Sequence, residues 1–409
     1  MFVRYRSLTI AAVLGASLIA QVAFAQPAQK NWQPGEYDVY QAITKEQQPG
    51  KRLEMIDAWK QKFPTSEYED IRQQAYLQTY SAAMTAAYTS TDPQVWATAA
   101  KASNAVMSNL DTLFSFKPAE AKDDEWAAAK KQVRAMAVNI PGFVALQQKN
   151  YPQAEAELIK SLNQDPNQGG VSYWLFLAVA NQRVPAKMSL AYFSLARSAM
   201  YEGDGAVDAA TRQKYKADFE TRYTRYHGAT DGMVEVENLA KTAALPTPDF
   251  KIPSKQEVAD ALAADQAKKD EEFRKNNPML ALWIRIKTAL TGSDGANYFD
   301  TSMKGAGLPG GYPGVPEFKG KLIEAKPALR PKELVLSVED GKTADVTLKL
   351  DAPLVGKMEP GTEIGFQGIA TAYTASPYMV TFDVEKAKIT GWKAAAPPPA
   401  RRPGRRPGQ

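Results

Sequence analysis

The sequence predicts a multidomain α + β protein, with a long N-terminal array of α-helical hairpins followed by a small five-stranded β-barrel. Three observations carry this. From Gly35 to about Ala244, apolar residues recur at intervals of three and four, the period of an amphipathic helix. Beyond Pro316 the interval drops to two, the period of a half-buried strand. Between them, the segment from Gly305 to Pro316 carries five glycines and three prolines and reads as the clearest boundary in the chain.

The first segment, 1–25, reads as a secretory signal peptide. Arg4 and Arg6 precede an apolar run from Leu8 to Val22, and Ala23-Phe24-Ala25 places small residues where a signal peptidase reads, so cleavage is expected after Ala25. The run falls short of the ~20 residues that span a bilayer, and no membrane span is expected once it is removed.

The helical domain covers 35–245. Tyr37, Tyr40 and Ile43 share one helical face, as do Leu53, Ile56, Trp59 and Phe63, and then Tyr68, Ile71 and Ala75. Ser66 with Glu69, and Thr91 with Gln94, have the spacing of capping boxes. Alanines at 82, 83, 86, 99, 102, 127, 128 and 135 allow close helix approach. His227, the only histidine, precedes Gly228 as the last turn of a helix before a C′ glycine.

A proline-punctuated linker from Leu245 leads to a second block, 254–304, read as linker helices. Ser254 and Glu257 cap a long polar helix, and Leu282, Trp283, Ile286 and Leu290 line a shorter apolar one. The barrel domain covers 317–393. Its strands open at Leu322, Leu334, Val346, Ile364 and Val380, Asp340-Gly341 marks a hairpin, and Gly368 marks a bulge that shifts the phase to Ile369, Thr371 and Tyr373. The tail 394–409 is rich in proline and arginine and reads as disordered.

Within the helical domain, Val138 to Pro166 carries Gly142, Ala145, Tyr151, Ala154, Leu158, Ser161 and Pro166 at the spacing of the 34-residue tetratricopeptide repeat. With Lys51-Arg52-Leu53-Glu54, Leu195-Ala196-Arg197-Ser198-Ala199 and Tyr226-His227-Gly228, this region resembles the secreted tetratricopeptide-repeat proteins of acidobacterial type. Val346-Thr347-Leu348-Lys349-Leu350 and Pro360-Gly361-Thr362-Glu363-Ile364 make 317–393 similar to an oligonucleotide/oligosaccharide-binding (OB) barrel. The first resemblance implies protein–protein scaffolding, and the second implies a binding fold. Lys349 is the one base between Val346 and Leu350, which argues against nucleic acid.

Composition narrows the chemistry. With no cysteine and a single histidine among 409 residues, thiolate metal sites, disulfides and cysteine nucleophiles are excluded. The formal charge of +5 lies at the ends: removing Arg4, Arg6, Arg401, Arg402, Arg405 and Arg406 leaves 44 basic residues against 45 acidic ones. No phosphate loop or dinucleotide fingerprint is present, and Asp123-Asp124-Glu125 and Asp270-Glu271-Glu272 lie in polar helical stretches. The expectation is a non-catalytic, periplasmic or secreted protein-interaction scaffold that uses no cofactor and no metal.

Its candidate contacts for a protein or peptide partner are Val138, Ile140, Phe143, Tyr173 and Trp174. The alternative is an envelope carbohydrate- or anion-binding protein. There Tyr373, Tyr378 and Trp392 would stack on a glycan, and Arg401, Arg402, Arg405 and Arg406 would dock on anions.

Overall fold

A computed structural model of the chain describes residues 31–393. The expected cleavage site after Ala25 and the four tail arginines, Arg401, Arg402, Arg405 and Arg406, lie outside the described residues. The chain divides into two compact units, 1–259 and 260–409.

The first unit holds α1 (Glu36–Lys45), α2 (Pro49–Lys62), α3 (Glu69–Ala87), α4 (Pro93–Leu113), α5 (Asp123–Gln147), α6 (Tyr151–Gln164), α7 (Gly169–Gln182), α8 (Met188–Met200), α9 (Ala209–His227) and α10 (Met233–Thr242). From α1 to α9 each helix packs against the next, α10 returns to α8, and the alternate helices α3, α5 and α7 also touch one another. This is a repeat-like stack in which each hairpin buries the face that its predecessor leaves open.

The alanine-rich faces divide. Ala83, Ala99 and Ala102 are buried as expected, whereas Ala82 lies on the exposed side of α3, and Ala127 and Ala128 are exposed because α5 begins with solvated turns. Gly142 of α5 lies close against α6: a Cβ there would lie 2.7 Å from Leu158 Cγ.

The caps differ in detail from those the sequence suggests. The α4 cap is Asp92, whose carboxylate accepts the Gln94 amide at 2.8 Å, with Pro93 at the first helical position, so Thr91 is not the cap. At α3, Ser66 accepts the Tyr68 amide, and Glu69 turns to Arg72 and Gln73 instead of closing a capping box. The expected ends at Gly228 and Ser254 hold. Gly228 is left-handed at φ 94°, and Ser254 and Glu257 bond reciprocally through the Glu257 amide and carboxylate.

Helix α11 (Lys255–Asn276) spans the division between the units, and none of its 22 residues is buried. Helix α12 (Pro278–Thr291) is part of the second unit's core and not a linker. Leu282, Trp283, Ile286 and Leu290 form one buried apolar face that belongs to the same core as the sheet residues Phe318, Leu336 and Phe382, with Trp283 meeting the Phe318 ring edge-on at 5.4 Å. After α13 (Gly295–Tyr298) and a π turn at Phe299–Met303, the glycine-rich segment enters the sheet instead of separating domains. Its Gly307 and Leu308 form a short strand, and four of its glycines have positive φ.

The sheet comprises β1 (Gly307–Leu308), β2 (Phe318–Lys326), β3 (Glu333–Ser337), β4 (Val346–Leu350), β5 (Glu363–Phe366), β6 (Gly368–Ala375), β7 (Tyr378–Val384) and β8 (Ile389–Thr390). These eight strands form one curled sheet in the order β1-β6-β7-β4-β3-β2-β5-β8. Neighbours are antiparallel except β4 and β7, which run parallel.

Five strands were expected and eight are present. The fourth is divided at Gln367 into β5 and β6, and β1 and β8 are added at the ends. The phase shift lies not at Gly368 but between Ala370 and Ala372, so Ala370 is buried and Ile369 is 46% exposed. Gly368 serves close approach instead, since a Cβ there would sit 2.6 Å from Val384 Cγ2.

Candidate functional site

The sequence-derived contacts on the helical unit form its internal seam. Tyr88 at the end of α3, Phe143 on α5 and Trp174 on α7 enclose one another. Tyr88 stacks on Trp174 at 5.6 Å and meets Phe143 edge-on at 4.9 Å, and Phe143 lies 5.0 Å from Trp174. Ile140 is 0%, Phe143 2% and Trp174 9% exposed, so these three hold successive hairpins together and are closed to a partner. Val138 is half-buried. Tyr173 is also half-buried and lies flat on Tyr215 of α9, with ring centroids 4.0 Å apart. Burial first, and the neighbouring Tyr173 second, push the Tyr215 hydroxyl above the usual tyrosine range.

A cleft of about 740 Å³ opens where α8, α9 and α10 meet. It is lined by Ala199, Met200 and Tyr201 and by Arg212, Lys216, Lys241 and Glu202, with Glu220 and Glu237 beside Lys216. Arg212 reaches Glu202 at 3.4 Å and the Val207 carbonyl at 2.8 Å. Lys216 lies 3.7 Å from Glu220 and 4.0 Å from Glu237, and Lys241 donates to the Asn238 side-chain oxygen.

Arg197, only 2% exposed, anchors the same junction. Its guanidinium donates to the Ala240 and Lys241 carbonyls at 3.0 and 2.8 Å and to the Pro166 carbonyl at 3.1 Å, and it lies 3.8 Å from the Tyr201 ring centroid. Burial lowers its pKa. The last carbonyls of α10 thus receive a cationic donor, the arrangement that a helix C-terminus favours. The sequence places Arg197 in a helix but gives no sign of the cleft, because its walls come from three separate elements.

His227 is structural in its contacts. Its Nδ1 lies 2.8 Å from the Pro253 carbonyl, tying the end of α9 to the segment before α11.

In the sheet unit, the three aromatics proposed for glycan stacking are not brought together. Tyr373 packs on Phe299 at 4.9 Å, and Tyr378 meets Trp283 of α12 edge-on at 6.2 Å with Lys287 Nζ 5.4 Å from its ring centroid. Both stand at the end of the sheet where β4 and β7 begin, since Tyr373 pairs with Val380 and Val380 with Val346. Trp392 is bound at the other end, its indole N–H donating to the Val355 carbonyl at 2.9 Å in the loop beyond β4.

The Tyr378 hydroxyl is enclosed without a hydrogen-bond partner among the described residues. Burial, reinforced by the nearby Asp345 and Glu339 carboxylates, raises its pKa. Asp345, 4% exposed, accepts from the Val338 and Glu339 amides and from Trp283 Nε1, and burial raises its pKa against those bonds. It joins α12 to the sheet.

The outer face of the sheet compensates its own charge. Lys326 is opposite Glu333, Glu333 opposite Lys349, and Lys349 opposite Asp383. The one base the sequence offers in β4 is therefore flanked by acids on both sides.

Among the described residues, no cluster of His, Asp and Glu has the makings of a metal site, and no helix is long and apolar enough to cross a membrane. Comparison of the chain with protein-family models, with curated proteins and with solved structures finds no match.

Proposed function

We propose that the chain is an exported, non-catalytic interaction scaffold, acting in the periplasm or outside the cell, whose tetratricopeptide-like hairpins present a docking site for a protein segment bearing carboxylates. The observation that carries this reading is the cleft among α8, α9 and α10. It is an open concavity of about 740 Å³ with an apolar floor and three cationic side chains. Peptide segments seat apolar residues on such floors, and guanidinium and ammonium groups at the rim select acidic neighbours. The contacts among α3, α5 and α7 support the repeat reading, because alternate helices touch when hairpins stack in register. For the sheet unit, the parallel pairing of β4 with β7 and the bent stretch 363–375, which pairs with both β2 and β7, favour an OB-like barrel.

The test is site-specific photocrosslinking in the full chain, with the crosslinker at Gln213 on the cleft wall. Discrete adducts with an endogenous protein are expected, and Arg212→Glu with Lys216→Glu should remove them. Adducts that survive both reversals, or no adducts at any crosslinker density, would sink the proposal.

A further inference from the structure

We infer that Glu202 regulates the α8–α10 cleft as a built-in competitor: its carboxylate holds the Arg212 guanidinium that an acidic partner segment would engage, and docking proceeds by displacing it. The inference rests on the reading of that cleft as a site for an acidic segment, and it adds what sets the strength of docking there.

Arg212 is fixed from one side. One of its terminal nitrogens donates to the Val207 carbonyl at 2.8 Å, just before α9, and the side chain is 21% exposed. The other terminal nitrogen is met by Glu202 Oε1 at 3.4 Å, and the Glu202 side chain is 78% exposed. The two partners differ in kind: the arginine is positioned, whereas the glutamate has room in solvent to turn away.

The backbone that carries Glu202 is locked. The Ala206 amide donates to the Gly203 carbonyl and the Gly169 amide to the Gly205 carbonyl, both at 3.0 Å. The Tyr201 hydroxyl lies 2.8 Å from both the Asn167 side-chain oxygen and the Asp204 carbonyl. Gly205 has φ 80°, and a Cβ there would stand 1.9 Å from the Asn167 carbonyl oxygen, so this turn admits glycine alone. The moving part is therefore the Glu202 side chain on a fixed mount.

Charge in the cleft is balanced by the chain's own acids. Lys216 lies between Glu220, 47% exposed, and Glu237, 14% exposed, so an incoming carboxylate gains least there. Glu202 is the most exposed of the three acids, and turning it away uncovers a cation that is already oriented. Its single, long contact in water is weak. A partner carboxylate that arrives with apolar neighbours excludes water and can pair with the guanidinium in bidentate fashion. Glu202 thus stands in for the group that the site takes, a side-chain carboxylate.

The test is fluorescence anisotropy with the purified protein and a short fluorescein-labelled peptide of alternating glutamate and leucine. Glu202→Gln keeps the shape and removes the charge, and it is expected to tighten binding about threefold, the strength of an exposed ion pair. Arg212→Gln should weaken binding about tenfold or more. In the Arg212→Gln background the Glu202 substitution should change nothing. Glu120→Gln, at an exposed site before α5, makes the same change in net charge and should leave affinity unaltered. Thermal melts matching the parent would show that the variants fold. Peptide binding of equal strength in the parent and Glu202→Gln, or a gain that persists without Arg212, would overturn the inference and leave the acidic-segment reading standing. No binding by either the parent or Glu202→Gln would overturn both.

Discussion

Gly142 of α5 faces Leu158 of α6 so closely that a single added methyl would stand 2.7 Å from Leu158 Cγ and 3.2 Å from its backbone nitrogen. Replacing a mid-helix glycine by alanine ordinarily stabilises a helix by up to ~1 kcal/mol. Here the overlap falls on a branched carbon and a backbone atom of a fully buried residue, and overpacking of that kind costs about 1–3 kcal/mol. Gly142→Ala is expected to lower stability by a net ~1 kcal/mol in urea unfolding. Leu158→Ala made in the same chain should remove most of that penalty, so the two effects should be clearly non-additive. An alanine variant as stable as the parent would show that the α5–α6 crossing is looser than described.

Arg197 supplies a buried planar cation to three carbonyls from two separate segments. Arg197→Ala leaves those acceptors unmatched and is expected to cost roughly 3 kcal/mol. Arg197→Lys should recover little, because one ammonium lacks the fork that spans both the Pro166 and Lys241 carbonyls. Full rescue by lysine in thermal unfolding would mean that charge alone, and not the fork geometry, holds this junction.

The Glu257 carboxyl is held near 2, first by its hydrogen bond to Lys251 and then by the Ser254 amide and hydroxyl. A depressed carboxyl contributes stability that is present above its ordinary pKa and is lost as pH falls toward the folded value. Carbon-detected NMR titration should place Glu257 at about 2, and Lys251→Ala should move it upward. Between the ordinary carboxylate range and pH of about 2, Glu257→Gln should flatten part of the acid limb of the stability curve. An unshifted Glu257 in the parent chain would refute this assignment.

Much of the architecture can be read from spacing alone. The change of period from helix to strand after Pro316, the C′ glycine at 228 and the Ser254–Glu257 box all describe local backbone, and local backbone is what side-chain intervals report. Errors arise where the deciding contact is distant in sequence. Thr91 and Asp92 are both good caps, and only the turn geometry selects Asp92. The segment 305–316 has a linker's composition, yet Gly307 and Leu308 pair with β6, some sixty residues further on. Gly368 looks like a bulge until Val384 is seen against it.

For the same reason the candidate site was only half legible. Phe143 and Trp174 are large apolar residues on helices, a description that fits a binding face and a buried seam equally well. Arg212, Lys216 and Lys241 look like ordinary surface cations until the fold gathers them around one concavity.

The order of strands in the sheet also governs when it can form. Strand β7, ending at Val384, lies between β4 and β6, so the sheet cannot be completed until nearly the last described residue has been synthesised. The helical unit has no such constraint, because nearly every partner of a helix there is its immediate neighbour along the chain. Hairpins can assemble one after another as they emerge, whereas the sheet must wait for a late, long-range closure. During synthesis, β2, β3 and β4 therefore pass through a period with their apolar residues exposed. In that interval, and not in the finished fold, the chain most needs protection from aggregation.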